Sequence, residues 1–348
     1  MDDAHEVLPG ARARRCDNDN GRSRGFHERR KFSAPLDAEY TPRMIPSLCI
    51  GVDENGLGPR LGPMVVTAAL VTLSAPAAAV AARLRGVVGD SKGLCAHGDM
   101  ARVEALVLAI LETHLGLRPG DYDALRAALA LQSEAELRAL CPAGASPEMC
   151  FGARLELPVF GAGIDARARH DAEAVREAGM TLRGLRQGYA CAKALNVAKA
   201  RGASRFDVDL TLMIALAARL RDEAGEDVDA VCGKVGGRKT YGAALTSVWP
   251  LLATEAETQA ESRYAIPRFG RMRFLRDADA TEPAVSLASL FGKYARELAT
   301  ERAHRYFHAA LPSLTACSGY HDPITSRYID ATALLRATRG VRDECFVR

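Results

Sequence analysis

The chain reads as α/β, strands interleaved with amphipathic helices, and three observations carry that reading. Apolar runs at residues 48–52 and 65–73 flank a stretch rich in glycine and proline, the pattern of strand, tight turn, strand. Residues 99–115 and 285–308 place apolar side chains at helical spacing. Residues 228–232 and 271–279 have strand composition or alternation and lie between helical patterns.

Length and composition set the bounds. With 348 residues and 48% apolar composition, the chain can build a substantial core as one large domain or two ordinary ones. A formal net charge of +3 neither demands nor excludes nucleic acid, so any basic surface must come from local clustering. The nine cysteines include no C-x-x-C pair, which reads as reduced thiols in a cytoplasmic setting, most of them acting as small buried hydrophobes. No apolar run reaches the ~18 residues of a membrane span, and the N-terminus lacks the apolar segment of a secretory signal.

Taken in order, residues 1–44 are polar and rich in Arg, Asp, Asn and Gly; they cannot build a core and are expected to be a disordered tail. A globular region is expected over 45–348, opening with the hairpin. Its first strand ends in Asp53 and Glu54, two adjacent carboxylates whose mutual repulsion calls for a positive partner, most naturally a divalent metal. The glycines that follow, Gly56 and Gly58 among them, let backbone N–H groups approach an anion without a Cβ in the way. An alanine-rich helix over about 77–86 leads to Asp90-Ser91-Lys92, where a lysine beside a hydroxyl suits a phosphate oxygen. After the helix at 99–115, residues 117–200 read as an inserted, mostly helical region, with patterns at 121–140 and 167–200. Asp209 reads as the cap of a further helix bearing Leu212, Met213, Leu216 and Leu220. Residues 233–241 pair glycines with Lys234, Arg238 and Lys239, a backbone-plus-cation anion site. If residues 271–279 form a regular strand, Arg271, Arg273, Asp277 and Asp279 share one face. Pro283 then opens a long helix whose Leu287, Leu290, Phe291, Tyr294 and Leu298 face the core, while Lys293 and Arg296 need not. A turn at 318–325 precedes a last helix through Tyr328 to Thr338.

Four separated segments together resemble a known family. Gly51-Val52-Asp53-Glu54-Asn55-Gly56-Leu57-Gly58-Pro59-Arg60-Leu61-Gly62-Pro63-Met64-Val65 is similar to the glycine-turn signature of ribonuclease HII in its archaeal and eukaryotic form. Asp90-Ser91-Lys92 with Leu94 matches that family's next motif. Asp279-Ala280 with Pro283, Val285-Ser286, Ala288-Ser289 and Lys293 resembles a third. Ser318-Gly319-Tyr320 with Asp322-Pro323 and Thr325 resembles a fourth, one residue shorter. They occur in the family's order. The resemblance implies a ribonuclease H-like fold, a mixed central sheet flanked by helices; the helical insertion at about 117–200 and the C-terminal helical region are read from the sequence patterns and not from the family. The resemblance also implies endonucleolytic, metal-dependent hydrolysis of RNA in RNA–DNA duplexes with Mg²⁺ or Mn²⁺. Asp53, Glu54 and Asp279 would carry the metals. Gly56, Gly58, Ser91, Lys92, Arg238, Lys293 and Tyr320 would meet the nucleic acid, with Tyr320 against the sugar at the junction. The chemistry agrees with these residue types, because two hard cations about 3.5–4 Å apart on shared carboxylates activate water and stabilise the leaving oxygen.

Two departures matter. The family's glycine turn carries arginine where this chain has Leu57. Its third acid falls on Gly233, beside Lys234. Asp277, Asp229 and Glu282 are the nearby acids that could substitute. Two readings stay open: a ribonuclease HII-like endonuclease, and a catalytically impaired nucleic-acid-binding homologue. A phosphotransferase is the weakest reading, since no G-x-x-x-x-G-K-[ST] is present.

Overall fold

The computed structural model describes residues 47–88, 100–142 and 148–348. The expected tail at 1–44 and the Asp90-Ser91-Lys92 loop lie outside the described residues. In chain order the elements are β1 (Ser47–Asn55), β2 (Met64–Leu73), α1 (Ala77–Leu84), α2 (Met100–Leu115), α3 (Tyr122–Leu129), α4 (Glu134–Arg138), α5 (Glu148–Phe151), α6 (Ala166–Glu177) and β3 (Met180–Ala190). There follow α7 (Ala192–Ala200), α8 (Arg205–Ala224), β4 (Val228–Gly233), α9 (Gly242–Thr246), β5 (Ala253–Glu257), β6 (Glu261–Ile266) and β7 (Gly270–Leu275). The chain closes with α10 (Ala278–Thr281), α11 (Pro283–His308), α12 (Pro323–Thr338) and α13 (Asp343–Phe346).

The strands form one mixed sheet in the order β3-β2-β1-β4-β7-β6-β5. β1 pairs antiparallel with β2 and parallel with β4, so it is an interior strand with its carboxylates emerging between two neighbours. Because side chains alternate across a strand, β1 serves two cores. Ile50 and Val52 join the apolar cluster under α8, with Met213, Leu216 and Leu220. Cys49 joins the cluster on the other face, beneath α2 and α11. Gly51 is where α11 comes closest: a Cβ there would stand 2.1 Å from the backbone carbon of Ala284. Only glycine permits that approach, which sets the start of α11 directly on β1.

This architecture is the ribonuclease H-like α/β arrangement expected, with helices α3 to α6 inserted before β3 and helices beyond α11 at the end. Three local expectations are corrected. Residues 180–190, read as part of a helical stretch, are a strand paired along its whole length with β2. The register shifts so that Leu70 faces Gly184 while Val71 faces Leu182. That bulge at Arg183 interrupts the period-2 alternation by which a strand is recognised. Asp209 caps nothing: α8 starts earlier, at a capping box in which Ser204 and Asp207 bond each other's backbone N–H, leaving Asp209 inside the helix. Finally, β7 stops at Leu275. Asp277 adopts a left-handed conformation (φ 54°) and Asp279 lies on the helical turn α10, so the two acids do not share a strand face with Arg271 and Arg273.

Candidate nucleic-acid interface and acidic centre

The site lies at the C-terminal end of β1, where the sheet, the glycine turn and α11 meet. Asp53 lies on the α11 face of β1, within hydrogen-bond reach of the Ser289 hydroxyl one helical turn before Lys293. Burial pushes the Asp53 carboxyl up to about 7; Glu54 and Asp279 add to the rise as neighbouring negative charges, and Ser289 opposes it. Glu54 turns back on the glycine turn and accepts the Leu57 N–H at 3.0 Å. Burial raises its carboxyl too, against the lowering effect of that hydrogen bond and of Arg348 and Arg296. Asp279 is anchored through its carbonyl, which accepts the Ser286 hydroxyl at 2.5 Å. The structure therefore does bring Asp53, Glu54 and Asp279 into one electrostatic neighbourhood.

Gly233 ends β4 beside Asp53. A Cβ built there would stand 3.5 Å from Asp53 Oδ1, at ordinary contact distance. The position where the resembled signature carries its third acid thus directly adjoins Asp53, and it bears no side chain. The substitutes do not fill it. Asp229 and Glu282 share Arg273, at 3.3 Å and 3.4 Å respectively, so both are drawn to that guanidinium. Asp277 has a side chain 78% exposed and pairs with Arg276 at 3.7 Å. Lys234 donates to Ser262 Oγ at 2.8 Å and to the Thr258 carbonyl at 3.0 Å. Among the described residues, no group of three or more His, Cys, Asp or Glu is placed to hold a metal ion. The donor set does not fit a two-metal centre.

One acid escapes sequence reasoning. Asp209, on α8, is 0% exposed, and neither carboxylate oxygen has a hydrogen-bond partner. Burial drives its carboxyl well above the usual range, with Glu54 and Asp53 adding to the shift. The charged form of such a group is disfavoured, because nothing compensates it. Its amphipathic-helix spacing carried no signal of this; an acid within an otherwise apolar helical face was the only sequence clue.

The remaining predicted contacts surround the glycine turn unevenly. Gly56 takes φ 102°, a conformation that favours glycine, and Tyr320, 49% exposed, lies 3.6 Å from where a Gly58 Cβ would be. Lys293 is half-buried on α11. Arg238 is held by Asp207 at 2.8 Å at the start of α8. Ser91 and Lys92 lie outside the described residues. Sequence reasoning missed two arginines: Arg296, which by its helical spacing need not face the core, is only 6% exposed, and Arg348 inserts into the turn. The thiols also differ from expectation. All seven cysteines among the described residues are free, but only Cys49 and Cys232 are buried. No helix among the described residues is long and apolar enough to cross a membrane.

No protein-family model matches the sequence, and no curated protein matches it. Solved structures do. The ribonuclease HII of Archaeoglobus fulgidus, in a structure with PCNA, aligns at 16% identity over 86% of this chain and 93% of that one, with a TM-score of 0.42. Bst-RNase HIII in complex with Mn²⁺ aligns at 16% identity over 86% and 66%, TM-score 0.44. The ribonuclease H2 of Pyrococcus horikoshii OT3 aligns at 15% identity over 86% and 92%, TM-score 0.38. Each is a resemblance of chain path alone.

Proposed function

We propose that this chain is a nucleic-acid-binding homologue of ribonuclease HII whose nuclease centre is impaired. The observation that carries the reading is the bare backbone of Gly233 against Asp53. A two-metal centre needs carboxylates converging from several strands to balance two dications; here one is absent, and burial disfavours the charged form of Asp53 and Glu54. The binding half of the reading is supported by the glycine turn, the exposed Tyr320 and the surrounding cations, groups suited to a sugar–phosphate strand. An RNA–DNA hybrid, or a duplex with an embedded ribonucleotide, is the proposed ligand. Mg²⁺ or Mn²⁺ would be held at most weakly by Asp53, Glu54 and Asp279.

The test pairs binding with cleavage. The protein should bind labelled hybrid with an affinity that falls steeply as salt rises, since phosphate contacts release counterions. With Mn²⁺ it should cut a duplex carrying one ribonucleotide no faster than its Asp53→Ala variant, and Gly233→Asp should cut faster than both. Wild-type cleavage well above the Asp53→Ala control would overturn the impaired reading in favour of an endonuclease. Absence of hybrid binding would remove the binding half.

A further inference from the structure

Three arginines from separate parts of the chain meet at the glycine turn. Arg348 is led there by an antiparallel bridge between Leu61 and Val347, by its own N–H donating to the Arg60 carbonyl at 3.0 Å, and by Asn196, which holds the Val347 carbonyl at 2.8 Å. Its guanidinium donates to the Gly56 carbonyl at 2.6 Å and the Leu61 carbonyl at 3.4 Å. Arg205, in the first turn of α8, donates to the Leu57 and Pro59 carbonyls at 3.2 and 3.4 Å. Arg296, on α11, bonds the Ser318 carbonyl at 3.3 Å and lies over the Tyr320 ring at 5.5 Å.

Carbonyl oxygens orient these guanidiniums without neutralising them. Arg296 pairs with Glu297 at 2.5 Å, and Glu54 is the carboxylate facing Arg348. Two carboxylates against three arginines leave the turn positive. Arg348 registers the excess: burial, then Arg205 and Arg296, bring its pKa down to about 9. Two inward donors are also left over, since Nε of the largely buried Arg296 and Nε of Arg348 are both buried without a partner. Unpaired buried donors and uncompensated positive charge are both costly, and one anion would relieve both. Arginine's planar fork suits a phosphate's oxygens, and the neighbouring exposed Tyr320 provides a flat face for the attached sugar or base.

We propose that Arg205, Arg296 and Arg348, with the Gly56–Gly62 turn and Tyr320, form a binding site for one phosphate group of a nucleic-acid strand, and that Arg348 is its specificity-determining cation. The proposal rests on the nucleic-acid reading above and names the residues that would execute it. Arg348 also brings a guanidinium to the turn in which the resembled signature has arginine and this chain has Leu57.

The test measures hybrid binding across a salt series for the full chain and for Arg348→Gln, Arg348→Lys and Arg205→Gln. The slope of log affinity against log salt should fall by about one unit in Arg348→Gln. Arg348→Lys should keep the slope and lose affinity, because it keeps the charge and loses the fork. Superimposable slopes and affinities for wild type and Arg348→Gln would overturn the proposal; if that variant does not fold, Arg205→Gln decides by the same criterion. Thermal melting with inorganic phosphate and with pyrophosphate forms the second arm. If hybrid binding is absent altogether, the nucleic-acid reading fails, and this arm decides the site alone. Anion stabilisation of wild type that is lost in the glutamine variants supports a free-phosphate site, and equal response in all of them overturns it.

Discussion

Among the described residues two carboxylates are buried to 0% exposure, one on each side of the central sheet, and their surroundings are opposite. Glu104, on α2, accepts the N–H groups of Val159, Phe160 and Gly161 at 2.6, 2.6 and 3.0 Å and the Tyr294 hydroxyl at 2.9 Å. Asp209, on α8, accepts nothing. Glu104 is an anchor that ties the inserted segment before β3 to the core, and its donors replace the water that burial removed. Asp209 lies near Asp53 and Glu54 without such donors, and burial followed by those two charges raises its carboxyl. A buried acid surrounded by donors serves the fold; one enclosed without them, beside two further acids, is a site of unrelieved negative charge.

The largest test of this contrast is removal of the anchor. Glu104→Ala strands three backbone N–H groups and should cost about 3–5 kcal/mol in denaturant unfolding. A loss below about 1 kcal/mol would show that the four hydrogen bonds do not matter.

The second test is pH. Asp53, Glu54 and Asp209 all have folded-state pKa values raised above the ordinary carboxylate range, to about 7 for Asp53. A raised acid stabilises the fold when protonated in both states, and that contribution is lost as pH climbs from about 4 through the folded value. Asp209→Asn should therefore match wild type within about 1 kcal/mol at pH 5 and exceed it at pH 8. An unchanged difference between variant and wild type across that window would contradict the raised value.

Gly233→Asp sharpens the comparison from the other side. Adding an acid against Asp53 should destabilise the metal-free protein by about 1–2 kcal/mol through like-charge repulsion. Mn²⁺ should then raise the melting temperature of the variant by mass action and leave wild type almost unmoved. Equal Mn²⁺ responses would mean that position 233 is not what the centre lacks.

The smallest effect is expected at Asp277. Its side chain is exposed and its backbone left-handed, so Asp277→Gly should change stability by less than about 0.5 kcal/mol and leave hybrid binding intact. A large loss of binding would restore it as a working acid.

Much of this is legible in the sequence. The hairpin around Asp53 and Glu54 and the proline-led helix α11 follow from local signals: apolar periodicity, glycine and proline punctuation, and adjacent like charges. The strand β3 is not, because its bulge disrupts the alternation and its buried Gln187 is satisfied by the Thr67 hydroxyl and Phe291 carbonyl from elsewhere in the chain as well as by the nearby Tyr189 hydroxyl. Asp209 looked like a cap because aspartate often is one; only the earlier capping box at Ser204 shows that it lies inside the helix.

The sequence by itself determined the elements near Asp53, their α/β alternation, and the absence of an acid at position 233, since each depends on neighbours within a few residues or on a single side chain. Tertiary structure alone decided which charges meet. Arg348 reaches a turn almost three hundred residues away, Arg273 takes Asp229 and Glu282 out of contention, and Asp209 is enclosed beside Glu54 without a donor. Coulomb and hydrogen-bond energies depend on distance in space and on the solvent that burial removes, and neither is written in sequence spacing.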